Sequence, residues 1–223
     1  RGVPHTILHG LAARARRQLG ATLTDEQQDA FEGVKRDLRS PGPMRRVITG
    51  EVGAGKGLVA LLSMVIVAEN KHQVMVLAPD QATIEQRYAF TEPLLRDLGL
   101  VARLYGAEPS RAQHDALRRG EVHVVFGTTA LLDAGLEFRR LGLVVAGERD
   151  VFGRVPAQVD GLRAPRPDLL VITSTPVPWP VLLQAYPDFD ISVLEQLPGR
   201  EVRCEVHAAT DRVDAYRDAA AAV

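Results

Sequence analysis

One cysteine, Cys204, is all that the 223-residue chain contains. A disulfide framework is therefore impossible, and a tetrahedral cysteine-rich zinc site is excluded. The six histidines (His5, His9, His72, His114, His123, His207) show no close ligand pairing, which argues against a metal centre built on them. Charge of one sign is lacking too: 27 basic side chains meet 28 acidic ones, a formal balance of -1. Such a chain has no overall electrostatic footprint for nucleic acid, though a local face can still be basic. Long hydrophobic runs are also missing. The longest, Leu58 to Ala68, is broken by Ser63 and falls well short of the roughly twenty apolar residues that a bilayer span needs. No early apolar block ends in a small-residue cleavage site. A cytoplasmic protein with no membrane partner is the expectation. The chain opens Arg-Gly-Val-Pro-His without a methionine, and we read it as a piece cut from a longer protein.

What remains is the composition of a globular domain, 46% hydrophobic and 25% charged. At this length roughly 70% of the unfolded surface can be buried, so a core forms without covalent staples. The first twenty residues carry Ile7, Leu8, Leu11 and Ala12 beside Arg14, Arg16 and Arg17, the pattern of a short amphipathic helix with a solvated basic edge. Thr24 stands three residues before Gln27, the spacing of a capping box, and predicts a helix through about Leu38. Ser40-Pro41-Gly42-Pro43 then forces a loop.

Beyond it, short apolar segments alternate with helical ones. Arg46 to Thr49, Gln73 to Leu77, Val101 to Leu104, His123 to Phe126, Leu143 to Ala146 and Leu169 to Thr173 read as strands. Gly57 to Glu69, Gln81 to Leu98, Pro109 to Arg119 and Pro178 to Ala185 read as helices. Several strands are uninterrupted apolar runs, which indicates burial on both faces. The predicted fold class is α/β, a mainly parallel sheet sandwiched by helices. The tail differs: Val202 to His207 reads as a strand or linker, and Asp211 to Val223 as a helix with nothing after it to pack against.

The sharpest motif is Gly50-Glu51-Val52-Gly53-Ala54-Gly55-Lys56-Gly57, set directly between a predicted strand and a predicted helix. Glycines let successive backbone N–H groups turn inward around phosphates, the helix start offers the positive end of its dipole, and Lys56 can reach the terminal phosphates. The motif departs from its usual form at one place. It ordinarily ends in serine or threonine, whose hydroxyl meets a magnesium ion, whereas Gly57 has no side chain. Gly57 also costs the helix start about 1 kcal/mol relative to alanine.

With these blocks in place the chain resembles the first motor domain of RecG-type superfamily 2 DNA helicases, a RecA-like P-loop domain, with the transcription-repair coupling factor as a near relative. The resemblance runs from about Leu23 to about Arg203. It rests on Leu23-Thr24-Asp25-Glu26-Gln27, the glycine loop, Leu77-Ala78-Pro79 with Gln86, Gly127-Thr128 with Ala130-Leu131, Leu141 to Val145, Phe152-Gly153, Thr173 to Pro178, and Leu197-Pro198-Gly199-Arg200. Their order carries the specificity. It divides the chain into a helical lead-in (1–22), the motor domain (23–200) and a linker with the start of a second motor domain (201–223).

The resemblance implies ATP or ADP on Gly50, Gly53, Ala54, Gly55, Lys56 and Gly57, with Gln27 reading the adenine edge through its two-headed amide. It implies that Pro79, Gln86, Gly127 and Thr128 track a DNA strand through its phosphates. Unaided, Gly127-Thr128 reads as a simple strand-end turn. Thr173 and Thr175 would couple phosphate chemistry to DNA movement. The family's Asp-Glu-x-His block falls on Gly147-Glu148-Arg149-Asp150, so Glu148 would polarise the attacking water while the metal-orienting aspartate is replaced by Gly147. Trp179 stands where arginine is usual, and Asp80 where threonine is. The implied partners are branched or duplex DNA, a second motor domain that completes the site, and a protein partner.

These departures fall on the metal, the coupling element and the DNA face, while the glycines and apolar strands remain. A motor domain with weakly held magnesium and impaired hydrolysis is the resulting expectation. The alternative is an inactive pseudo-helicase that binds nucleotide, DNA or protein without turnover. A third possibility, an unrelated phosphate-loop enzyme such as a small-molecule kinase, would need a magnesium carboxylate of its own, and no convincing one is visible.

Overall fold

A computed structural model describes residues 2, 4–7, 10–147, 154–162, 166–173 and 188–195. Within them the chain runs α1 (Gly10–Gln18), α2 (Asp25–Leu38), β1 (Arg45–Gly50), α3 (Lys56–Glu69), β2 (Gln73–Ala78), α4 (Gln81–Asp97), β3 (Ala102–Leu104), α5 (Arg111–Arg119) and β4 (Val124–Thr128). A 3-10 turn (Thr129–Leu132), β5 (Leu141–Ala146), α6 (Arg154–Asp160), β6 (Asp168–Thr173) and β7 (Asp190–Leu194) follow. The strands form one seven-stranded sheet in the order β3-β4-β2-β5-β6-β1-β7, every pairing parallel.

The uninterrupted apolar runs behave as burial on both faces requires. Successive side chains of a strand point to opposite sides of a sheet. Val74, Val76 and Ala78 of β2 enter one hydrophobic core, while Met75 and Leu77 enter the other. The same split separates Leu143 and Val145 from Val144 and Ala146 in β5, and Leu170 and Ile172 from Leu169 and Val171 in β6. Full burial of each of the Val, Leu, Ile and Met side chains among them stabilises by about 1.5–3 kcal/mol, so both layers are strongly held. Helix α3 lies under the first layer and is buried from Val59 through Ala68, which explains why it is apolar all round.

The N-terminal segment is tied to this body. Ala12 and Ala15 of α1 are buried, the Leu11 N–H donates to Glu69 Oε1 at 3.1 Å, and Arg14 donates to the Asp97 carbonyl at 2.7 Å. His5 sits buried with its Nε2 3.2 Å from Asp168 Oδ2, while the Met44 N–H donates to Asp168 Oδ1. Burial pushes the Asp168 carboxyl above its ordinary range, and burial also holds the neighbouring His72 below its own.

The sheet holds one strand that the sequence reading omits. Asp190–Leu194 adds β7 beside β1, pairing Gly50 with Leu194. It is short, is bordered on one side only among the described residues, and is exposed or half-buried except at Leu194, so no apolar run announces it. Helix α6 and the 3-10 turn are likewise additions. His123, expected as a strand residue, precedes β4 and accepts the Val101 N–H on Nδ1 at 2.9 Å. The expected helix at Pro178 to Ala185 and the whole expected tail after Arg200 lie outside the described residues. No helix among the described residues is long and apolar enough to cross a membrane.

Candidate nucleotide-binding site

All strands being parallel, their C-terminal ends share one edge of the sheet, the edge where open α/β sheets bind ligands. The glycine loop leaves β1 there. Pro79 follows β2, Gly127 and Thr128 end β4, Gly147 follows β5, and Thr173 ends β6. In register, Thr49 faces Thr173, Leu77 faces both Gly127 and Ala146, and Ala78 faces Thr128. Glu148 and Thr175 lie outside the described residues.

The loop's backbone is one that few residues other than glycine adopt. Gly50, Gly53 and Gly55 have φ of +145°, +90° and +80°. Gly55 caps the N-terminus of α3 in the left-handed conformation, with no side-chain cap, so the first N–H groups of that helix point at the loop. Crowding adds a second demand. A β-carbon on Gly50 would lie 1.9 Å from the Leu194 carbonyl oxygen, and one on Gly55 would lie 2.3 Å from Gln27 Nε2.

Lys56 is buried beside its own loop, its Nζ donating to the Gly50 carbonyl at 2.9 Å and to the Glu51 carbonyl at 2.6 Å. Gln27 is held equally firmly. Its backbone N–H donates to Thr24 Oγ1, its Oε1 accepts the Thr24 N–H at 3.1 Å, and its Nε2 donates to the Ala54 carbonyl at 2.8 Å. The predicted capping box is therefore present, and it clips the start of α2 to the phosphate loop. Both heads of the amide are committed in this state, so reading an adenine edge would require Gln27 to exchange these bonds.

A cavity of about 690 Å³ opens beside the loop. Gly53, Gly55, Lys56 and Gly57 line one side, Gln86 and Arg87 of α4 another, and its floor is apolar. Gln86 thus borders the phosphate loop. The rim carries the exposed Phe90 and Leu19.

Two positions, Asp80 and Gly127, acquire local structural reasons. Asp80, unexpected on a face meant for phosphates, caps α4: Oδ1 accepts the Thr83 N–H at 2.8 Å and Oδ2 the Thr83 hydroxyl at 2.9 Å. Gly127 and Thr128 are the last two residues of β4, one step earlier than a turn. Gly127 has to be small, because its β-carbon would lie 2.2 Å from Leu131 Cδ1, where the 3-10 turn folds back. Gly147 is buried, and a β-carbon there would meet Arg87 Nη1 and Nη2 at 3.0 Å each. Arg87 is the site residue that sequence reasoning missed. It follows Gln86 directly, but nothing local connects it with position 147.

A seven-stranded parallel sheet flanked by helices, with a lysine-bearing glycine loop after β1, defines a RecA-like helicase domain. The chain belongs to the DEAD/DEAH box helicase family, whose model matches residues 24–176. It is 32% identical over 212 residues to the ATP-dependent DNA helicase RecG of Aquifex aeolicus, a match covering 92% of this chain and 27% of that protein. With the ATP-dependent DNA helicase RecG of Thermotoga maritima it shares 32% identity over 218 residues, 96% of this chain and 28% of that one. The structure of RecG bound to a three-way DNA junction superposes with a TM-score of 0.82 at 28% identity, over 97% of this chain and 30% of that chain. The helicase MrfA bound to DNA and AMPPNP shares the fold, with a TM-score of 0.64 at 17% identity, over 98% of this chain and 36% of that one. The chain therefore spans less than a third of the length of its RecG relatives.

The magnesium ion that the resemblance implies does not fit the donor set described here. Gly57 and Gly147 supply no side-chain oxygen, and the space beside Gly147 is taken by a guanidinium, which repels a divalent cation. Among the described residues no group of three or more histidine, cysteine, aspartate or glutamate side chains could hold a metal.

Proposed function

We propose that the chain is the first motor domain of a RecG-like DNA helicase, residues 23–200 forming the motor and 1–22 a lead-in, which binds ATP or ADP on the Gly50–Gly57 loop and hydrolyses it poorly. One observation carries the reading. Three glycines of positive φ lead into the N-terminus of α3, with Lys56 at the bend, which is the arrangement that binds phosphate through backbone N–H groups and a helix dipole. Gln27 contacts the same loop, which supports its assignment to the base of a bound nucleotide.

The RecG relatives are named as ATP-dependent DNA helicases, and a RecG structure holds a three-way DNA junction. By analogy the parent protein acts on branched or duplex DNA in the cytoplasm, through Pro79, Gln86, Gly127 and Thr128, with Thr173 and Thr175 in the coupling element. Thr173 lies at the end of β6 beside β1, one strand away from the phosphate loop, which suits that role. A second motor domain completes the site. Glu148 is the base we assign to hydrolysis. Losing one pre-positioned transition-state contact typically costs about a hundred- to a thousandfold in rate, and phosphoryl transfer depends chiefly on positioning and charge neutralisation. Gly57 and Gly147 remove two such contacts.

The same two glycines favour a second reading, a pseudo-helicase that holds nucleotide, DNA or a protein without turnover. Two measurements separate them. A fluorescent ADP analogue titrated into this chain should bind saturably, and Lys56→Ala should abolish binding; absence of binding in the unaltered chain would refute the nucleotide assignment. Phosphate release by the full-length parent, with and without branched DNA, then decides turnover. Slow but DNA-stimulated release supports the weakened motor, and no release above background supports the pseudo-helicase.

A further inference from the structure

We propose that Glu26 is a positioning residue for the nucleotide: its carboxylate closes a ring of contacts that grips the Gly50–Gly57 loop at its start and its middle, and carries the loop's occupancy to Glu195, where the chain leaves the sheet. This rests on the nucleotide-binding reading above and adds a means of transmission to it. Three observations support it. At the start of the loop, Gly50 pairs with Leu194 of β7, and the Glu51 N–H donates to the Leu194 carbonyl at 3.3 Å. In its middle, Gln27 Nε2 donates to the Ala54 carbonyl at 2.8 Å. Between these two grips, the Glu195 N–H donates to Glu26 Oε2 at 2.7 Å.

The ring follows from where the elements begin and end. Glu26 and Gln27 are successive residues in the first turn of α2, which the Thr24 capping box fixes. Leu194 closes β7 and Glu195 follows it. The loop, Leu194, Glu195, Glu26, Gln27 and the loop again therefore form a closed circuit, each step of which is a hydrogen bond or a peptide bond. There is no slack where the circuit meets the loop, because a β-carbon on Gly50 would lie 1.9 Å from the Leu194 carbonyl oxygen. A carboxylate that accepts a backbone N–H makes a charge-assisted bond, and a loop held in place beforehand loses less freedom when a ligand orders it. Coupling between two places is reciprocal. Nucleotide in the loop must then tighten Glu195, and freeing Glu195 must weaken the nucleotide. An acidic residue in a first turn also favours its helix by charge alone, and Asp25, exposed in the same turn, provides the control for that effect.

The test follows amide exchange at Glu195 by NMR in this chain, with and without saturating ADP, and measures ADP affinity by calorimetry. ADP should slow exchange at Glu195, a position outside the phosphate cradle. Glu26→Ala should abolish that response and weaken ADP binding about threefold, as suits an exposed charge-assisted bond. Glu26→Gln, which keeps an acceptor oxygen, should retain part of both effects. Asp25→Asn should leave both as they are in the unaltered chain. A Glu195 exchange rate that ADP does not change would overturn the proposal and leave the nucleotide reading standing, and this measurement decides even if Glu26→Ala fails to fold. A loss of affinity below twofold in Glu26→Ala would overturn it too, as would an equal loss in Asp25→Asn, which would assign the effect to the helix dipole. No saturable ADP binding by the unaltered chain would sink the nucleotide reading and this proposal with it.

Discussion

Gly55 holds a φ of +80° and a β-carbon on it would collide with the Gln27 amide, whereas Gly57, two residues later in the first turn of α3, faces open space. The contrast repeats at the ends of β1 and β5. Gly50 abuts the Leu194 carbonyl and tolerates no β-carbon, while at Gly147 the nearest atoms belong to the far end of Arg87, which can move. The backbone cradle is therefore maintained by sterics that the fold cannot relax. The two positions that the family resemblance links to a metal are glycines that the fold does not require. Their character is chemical, and that is why the loop and its cation have to be considered separately.

The largest expected effect comes from breaking the first kind of position. Gly50→Ala sets a methyl against a backbone carbonyl at 1.9 Å and forces alanine to a φ of +145°. The strand pair β1 and β7 has to separate locally, and strain of this kind together with the lost ladder costs about 3 kcal/mol or more. Thermal unfolding followed by circular dichroism should show a midpoint lower by about 10 °C. A midpoint within a degree or two of the unaltered chain would mean that β7 does not hold Gly50 as described.

Gly127→Ala should come next. Its β-carbon would lie 2.2 Å from Leu131 Cδ1, and Leu131 is a buried side chain with little room to yield. Overpacking of this sort costs about 1–3 kcal/mol, measurable by urea unfolding. The result bears on function as well, because a stability loss shows that packing alone demands this glycine. A DNA role for it then rests on Thr128 and the neighbouring backbone.

These contrasts also mark how far the sequence could be read. The central strands were legible because β2, β5 and β6 are buried on both faces and so appear as unbroken apolar runs. β7 was not, because an edge strand of five residues beginning with Asp190 carries no such run. The glycine turn before α3 and the Thr24–Gln27 box were legible because each is local, its parts within a few residues. The clip from Gln27 to Ala54 spans 27 residues and needed the fold. Arg87 and Gly147 are sixty positions apart (147 minus 87) and meet only because β2 and β5 are neighbours, with α4 following β2. Sequence reasoning singled out Gly147 but had no means of finding the arginine that lies beside it.

The smallest expected effect tests the other side of the comparison, and its sign is opposite. Gly57 is the second residue of α3, has no atom within 4 Å of a built β-carbon, and has no positive φ. Glycine in a helix exposes backbone and loses more chain entropy on folding than alanine does. Gly57→Ala should therefore stabilise the chain by about 0.5–1 kcal/mol, a midpoint higher by about 1–4 °C. Nucleotide affinity should change little, since alanine restores no metal ligand and the backbone N–H groups keep their directions. A fall in stability would place an unseen constraint on Gly57 and dissolve its contrast with Gly55. A gain in stability with affinity retained would mean that the residue's lack of a side chain serves neither the fold nor the cradle, and that its effect on the chain is confined to the cation.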